Sequence, residues 1–521
     1  MNSSKAVSIN DGQLEYKADD KGNKIPDFSN CGYQGGGVEI PNVDVLEVLL
    51  PNELGDDGDR IQAAINRVAA MSEDNRGFKG VVLLKKGTYR IEKSIRILSN
   101  GIILRGEGQG EDGTTLVAMG RGKRSLIEIG GVREPVPRGL EQIDYSESKG
   151  IAEHRATIVD PYVAVGSHSF RLTSTDGFSV GDEVIVHRPS TAAWISAIGM
   201  DRIEGQPTIN PKARKTRQWE PGKYDMLFRR KVVVIDGDVL TVDAPLVQAI
   251  EDIYGGGTVY RYQDFGRIER VGIENLRGIS EYDKATLDKR REGEFADEEH
   301  AWNLITINHA RDGWVRDVTS VHFAYSCVYL LPDAHRFTVQ DCSCLDPVSR
   351  VTGGRRYSFA IAGQMNLVQR CRTRRGRHDY VLHARAPGPN AFVDCVAENA
   401  FSDTGPHHRW SVGTLFDNVR VEGNAINVQD RQDSGTGHGW AGALKVLWNC
   451  EADSIVCQKP PTTQNYAIGC VAERAAGWHE RANGYWESHG EHVEPRSLYY
   501  AQLEERMGRD AVEAVGKAHQ L

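Results

Sequence analysis

From residue 300 to 470 the apolar residues come in short β-branched and aromatic runs, such as Trp302–Ile307 and Tyr380–His383, cut by Gly, Asp and Asn. No window of about 11 residues there carries helical spacing, so the segment predicts strands and turns. A four-residue pattern recurs: apolar, any residue, polar or small, then Cys, Asn or apolar. Its last position falls on Leu276, Val318, Cys342, Cys371, Cys395, Asn418, Cys450 and Cys470, with steps of 42, 24, 29, 24, 23, 32 and 20. Steps so uneven exclude helical repeats of fixed length and fit coils with constant strands and variable loops. Hairpin signals are few, so the pattern predicts a parallel β-solenoid in which each coil hides the edge of the one below.

The flanks read differently. Asp56-Asp57 followed by Ile61 and Ile65 predicts an acidic cap and a short helix that plugs the solenoid's open end. Residues 157–262 interrupt the rhythm, and Val232–Val242 reads as a hairpin within a small inserted β subdomain. Its loop from 190 to 230, with Trp194, Arg214 and Trp219, either leans over a cleft or is structural. Leu498, Tyr499, Leu503, Met507 and Val512 predict a helix that caps the far end or packs on it. The division is thus an N-terminal extension (1–54), a cap with the first coils (55–156), the insertion (157–262), the main coils with the candidate cleft (263–480) and a helical tail (481–521).

Composition adjusts this picture in three ways. Gly is 55 of 521 residues and Pro only 19, so the chain is turn-rich without being disordered, and the glycines are read as the coils' corners. Lys plus Arg is 63 against 72 Asp plus Glu, a net charge of -9, which leaves no global field for nucleic acid or an anionic membrane. The nine cysteines form no CxxC and no finger-like Cys/His spacing, so zinc and a disulfide framework are both disfavoured. Five of them share one repeat position, which predicts a stacked row of buried thiols with Asn418 in the same ladder. No stretch approaches 18 apolar residues and the first ten residues lack a signal-peptide core. The expectation is a cytoplasmic protein, or a secreted one whose leader has been removed; monomer and homo-oligomer stay open.

The run Ile61–Ile65, then Gly87-Thr88-Tyr89, then Leu104–Gly108, joined to the Cys row, resembles the right-handed parallel β-helix of the pectin lyase-like superfamily of polysaccharide lyases and glycoside hydrolases. The resemblance spans most of residues 55–480. It implies an all-β fold and a carbohydrate substrate, while the superfamily hosts several chemistries. Calcium-dependent pectate lyases hold their ion with acidic residues on neighbouring coils. No such cluster is legible here, so no cofactor is predicted, and calcium stays open without an identified ligand set.

The chemistry-bearing residues recur in register. Aromatics stand at Trp302, Tyr325, Tyr357, Tyr380, Trp410 and Trp440, and just before them come Glu298-Glu299-His300, His322, Arg355-Arg356, Arg377-His378-Asp379, His407-His408-Arg409 and His438. His378, His408 and His438 are 30 residues apart in turn. Rings beside cations suit sugar stacking, and arginine forks suit carboxylates, so an acidic, uronate-containing polysaccharide or oligosaccharide is the expected partner. For β-elimination, His378 or His408 would be the base, Tyr380 the proton donor, and Arg356, Arg377 or Arg409 the carboxylate clamp, with Asp379 beside them. Arg356, Tyr357, Trp410, His438, Trp440, His300, Glu299 and Trp302 would line the substrate. His407 and His408 are neighbours on an extended chain, so one is expected to be structural and the other active.

Two alternatives remain. A glycoside hydrolase would draw its paired carboxylates from Asp379, Asp403, Asp430 and Glu298/Glu299. A non-catalytic glycan-binding solenoid of the phage tailspike kind would have the aromatics without a matched acid and base. The Asp430-Arg431 pair and the tight Gly435–Trp440 loop weigh against the second, because the loop's glycines bring His438 beside Trp440.

Overall fold

The computed structural model describes residues 2–131, 142–145, 148–205 and 216–516. Its body is a parallel β-helix with three strands per coil. The first face stacks Ile95–Ile97, Ser125–Ile129, Asn303–Ile307, Ser326–Leu330, Phe359–Ile361, Tyr380–Leu382 and Gly405–Pro406, all parallel. The second face runs from Val45–Leu49 to Tyr485–Glu487, and the third from Gly87–Ile91 to Val471–Arg474. The first coil strand therefore falls inside the expected N-terminal extension. Parallel crossovers of this kind are right-handed in nearly all folds.

Register fixes what points inward. On the second face Val339, Val368, Phe392, Phe416, Leu447 and Ala467 pair in succession and fill the interior. The neighbouring row on the third face is Leu276, Val318, Cys342, Cys371, Cys395, Val419, Cys450 and Cys470, all in the same core. Asn418 is not in this ladder. It occupies the corner one residue earlier, with Asn275, Asp317, Asp341, Arg370, Asp394, Asn449 and Gly469, all left-handed at φ between 51° and 66°. The corner is thus built mainly from Asn and Asp, whose short polar side chains tolerate this conformation, and only once from glycine. Each thiol of the row reaches a carbonyl of the coil before it: Cys342 that of Val315 at 3.7 Å, Cys395 that of Val368 at 3.6 Å, and Cys470 that of Leu447 at 3.6 Å. All nine cysteines are free and buried.

The helix Gly58–Ala69 turns Ile61, Ala64, Ile65 and Val68 into the first coils. Burying each of its Ile and Val side chains is worth about 1.5–3 kcal/mol. The helix Leu498–Met507 lies elsewhere than expected. Leu498, Tyr499 and Leu503 pack on Leu367, Val393, Leu415, Val446 and Ile468, the outward residues of the second face, so it covers a flank rather than the far end. Asp417 anchors it, accepting from Ser497 Oγ at 2.7 Å and from the Tyr499 amide at 2.8 Å.

The insertion is an antiparallel sheet. Its stem strands Ser148–Thr157 and Thr258–Gln263 pair with each other, and the Met226–Asp236/Val239–Val242 hairpin forms as expected. It docks on the solenoid through Trp194, Leu246 and Val247 against Trp410, Val412, Trp440 and Leu444. Among the described residues no helix is long and apolar enough to cross a membrane.

Candidate functional site

The coils bring five imidazoles together beyond the first face. His378 and His407 have ring centroids 4.7 Å apart, His407 and His408 5.0 Å, His407 and His438 5.1 Å, and His408 and His438 5.1 Å. His383 lies 6.2 Å from His408. The adjacent pair His407-His408 shares one cluster instead of splitting across two faces. The backbone is not extended there: Arg409 and Trp410 are left-handed at φ 55° and 53°, and the chain bends.

The polarity of the central hydrogen bonds follows from which groups can only donate. Arg431 Nη1 lies 3.1 Å from His407 Nδ1 and donates to the His407 carbonyl at 2.9 Å. A guanidinium has no acceptor, so His407 Nδ1 accepts and its proton sits on Nε2. Nε2 is 3.0 Å from the Tyr357 hydroxyl and donates to its oxygen. The Gly354 backbone and the Arg377 side chain also act on that oxygen. With His407 as donor, the Tyr357 O–H hydrogen points elsewhere. His378 is fixed in the opposite tautomer, since its Nδ1 faces the Asp403 carbonyl and must donate, leaving a lone pair on Nε2. His378 Nε2, His408 Nδ1, His438 Nδ1 and Arg377 Nη1 are buried atoms without a hydrogen-bond partner among the described residues. Such atoms cost free energy until water or a ligand meets them.

Burial and nearby cations keep these imidazoles neutral. Burial lowers His378 to about 4, with Asp403 opposing and Arg377 and Arg431 reinforcing. It lowers His383 to about 4, and with Arg431 and Arg409 it lowers His438 to about 3. His407 and His408 are pushed well below their usual value, first by burial and then by their neighbours in the cluster. Burial works against the Asp403 carboxylate, but it is outweighed by His378 where that ring is protonated at low pH, and by Arg431 and the Ser402 hydroxyl at neutral pH, so the group stays ionised. Burial raises the Tyr357 phenol, and Arg377 opposes the rise.

A track of rings leads along the coils into this cluster. Trp302 stacks on Tyr325 at 6.1 Å, Tyr325 lies 5.0 Å from Tyr357, and Tyr357 lies 5.2 Å from His407. Tyr325 also bonds His383 Nε2 at 3.0 Å. At the opposite rim Trp478, 55% exposed, lies 4.7 Å from the Arg431 guanidinium. Lys123 sits 4.4 Å above Trp302.

Of the residues read from sequence, His378, His408, His438, Arg377, Arg409 and Tyr357 meet here, and Trp302 stands at the rim. Arg409 is tied to the 434–440 loop through Thr436 Oγ1 at 2.8 Å. The others lie elsewhere. Tyr380 points into the coil, stacked on Phe359 and donating to the Cys371 and Val396 carbonyls, so it cannot serve a substrate. The cause is parity: Phe359 pairs with Tyr380, so the equivalent of Tyr357 on the next coil is His378. Asp379 is fully buried, accepts from Ser358 Oγ at 2.6 Å and is raised by burial to about 6. Arg356 turns the other way, to Glu294 and the Ser349 carbonyl. Trp410 and Trp440 are buried under the insertion, Trp410 edge-on to Trp194 at 5.0 Å and Trp440 donating to the Ile198 carbonyl. His300 is buried between Ser280 Oγ and the Val348 carbonyl, and Glu299 is exposed at the surface.

Trp194 and Trp219 are structural, the latter stacked on Tyr224 at 4.1 Å; Arg214 lies outside the described residues. Sequence reasoning gave Arg431 and Asp403 no part in the His/Arg row and did not single out Trp478. Arg431 follows Asp430 in a loop of irregular length, and Trp478 stands outside every repeat, so no periodic signal marks either. Among the described residues no set of three or more His, Cys, Asp or Glu is arranged to hold a metal ion.

No protein-family model matches the chain, and no curated protein does. Several solved structures are similar. The Gp54 tailspike of Acinetobacter baumannii bacteriophage AP22, in complex with capsular saccharide, has a TM-score of 0.37 at 8% identity, covering 81% of this chain and 62% of that one. A DFA-IIIase from Arthrobacter chlorophenolicus A6, in complex with DFA-III, has 0.37 at 9%, covering 82% and 76%. An exopolygalacturonase from Thermotoga maritima has 0.33 at 9%, covering 86% and 80%. The chain thus spans 62% of the length of that tailspike. The parallel β-helix, which is the fold the pectin lyase-like resemblance implies, rests on the strand register above, and the site on its own geometry.

Proposed function

We propose that the protein cleaves an acidic, uronate-containing polysaccharide by β-elimination at the imidazole cluster. The observation that carries this reading is the Arg431–His407–Tyr357 chain, which leaves the Tyr357 hydroxyl hydrogen free beside neutral imidazoles whose nitrogens lack protein partners. An acid and a base of suitable protonation thus stand side by side at neutral pH. His408, half-buried, takes the proton next to the uronate carboxylate. The electron pair forms the new carbon–carbon double bond, the bond to the glycosidic oxygen breaks, and that oxygen leaves with the Tyr357 proton. Arg377 and Arg409 hold the carboxylate and stabilise the charge that develops on it. Trp302 and Trp478, at the two rims, give a sugar chain flat surfaces on either side of the reacting unit.

A hydrolase needs a second carboxyl that is protonated. Asp403, the carboxylate in contact with the cluster, is held ionised at neutral pH by Arg431 and by the bond from Ser402 Oγ, which favours elimination over hydrolysis. The test is incubation with uronate-containing and neutral polysaccharides, following the ultraviolet absorbance of an unsaturated uronate alongside reducing ends. Elimination makes both signals rise together on a uronate polymer. Reducing ends without the chromophore would overturn elimination, and neither signal on any uronate polymer would overturn cleavage.

A further inference from the structure

Beneath the segment 281–300 lies a cavity of about 160 Å³, lined by Tyr282, Glu294, Phe295, His322, Asp346 and Arg375. It is separate from the imidazole cluster. Tyr357 faces His407, whereas its neighbour Arg356 turns away to form the cavity's inner wall. His322, Asp346 and Arg375 stack on successive coils, each in the left-handed corner that ends a third-face strand, at φ 67°, 50° and 60°. The coil geometry itself therefore aims their side chains at one place.

The walls have two characters. Tyr282 and Phe295 form an aromatic side with ring centroids 5.2 Å apart, and Tyr282 meets His322 edge-on at 5.1 Å. The opposite side is charged: Glu294 pairs with Arg356 and Arg375, and Asp346 with Arg374. Among the lining residues Arg356 and Arg375 balance Glu294 and Asp346; the Arg375 guanidinium, 43% exposed, has further N–H donors beyond the one that meets Glu294. Among the described residues neither the Tyr282 hydroxyl nor the His322 ring has a hydrogen-bond partner, although both line the cavity.

We propose that this cavity is a second saccharide site that takes a single anionic sugar unit, a uronate. Its ring lies against Tyr282 and Phe295, its carboxylate meets Arg375, and its hydroxyls satisfy Tyr282 and His322. The choice of a sugar over another small monoanion rests on the glycan reading above; the site itself rests on the cavity.

Glucuronate titrated calorimetrically into the full chain tests the proposal, with glucose as the uncharged counterpart. Wild type and His408→Ala bind glucuronate alike. Tyr282→Ala weakens binding about tenfold, as loss of an aromatic wall and a hydroxyl should, and His322→Gln weakens it in the same direction. Tyr282→Phe, which keeps the ring, covers the case in which the alanine variant fails to fold. Binding that survives all three substitutions, binding abolished by His408→Ala, or no binding by wild type would overturn the site. Glucose binding as tight as glucuronate would overturn its anionic character. A chain that cleaves a uronate polymer yet fails this titration loses the second site and keeps the first reading; one that binds as described but cleaves nothing does the reverse.

Discussion

Two rows of titratable side chains run through the same coils, and they differ in what satisfies them. The thiols from Cys342 to Cys470 stack inside, each with a backbone carbonyl of the previous coil within reach. The imidazoles from His378 to His438 gather outside the first face, and three of them keep a buried nitrogen without a protein partner. Burial favours the neutral form in both rows, raising the thiols of Cys342, Cys371, Cys395 and Cys450 and lowering the imidazoles. Desolvation alone therefore does not mark a site. What separates the rows is that the inner one is complete without a ligand and the outer one is not.

The largest effect that would sharpen this contrast comes from His408→Ala, which should lower the rate on a cleaved uronate polymer about 100-fold or more while leaving the thermal midpoint nearly unchanged. A rate within about twofold of wild type would remove the cluster's role as base. Tyr357→Phe removes the free hydroxyl but keeps the ring; a loss of about 10- to 100-fold in kcat is expected. Trp478→Ala should raise KM by about 2- to 10-fold with kcat little changed, since the ring is exposed at the rim.

The pH dependence has a definite sign. His378 and His383 stand at about 4 in the folded chain against 6.5 for a free imidazole. Protons therefore bind the unfolded chain preferentially, so their contribution to stability is fully present above 6.5 and is lost as pH falls from 6.5 to about 4. Thermal midpoints across that range should fall for wild type and fall less for His378→Gln. The inner row supplies the smallest effect of all: none of the nine cysteines should react with a thiol reagent in the native chain, and all nine should react in denaturant.

The solenoid was legible because its interior repeats one chemistry. An apolar or thiol slot recurs on every coil, and only Val419, one residue past Asn418, slipped, because loop lengths vary and the turn asparagine mimics the pattern. The candidate site was legible as a crowd of His and Arg that recurs in register with the coils. Individual assignments failed where facing depends on a shift of one or two residues. Tyr380 lies inside and Tyr357 outside, yet both follow a His/Arg-rich segment. Trp410 and Trp440 share the spacing of the histidines, but they are claimed by a subdomain whose docking no repeat encodes. Arg356 and Arg377 occupy equivalent positions on adjacent coils, and only the 281–300 loop, which brings Glu294 to Arg356, distinguishes them.

The proposed elimination breaks a glycosidic bond at the imidazole cluster without adding water. Mass spectrometry of the two fragments released from a uronate oligosaccharide of known mass tests it most directly. Elimination predicts fragment masses that sum to the mass of the intact substrate, with one fragment carrying the new double bond. Fragments whose masses sum to the substrate plus one water would contradict it.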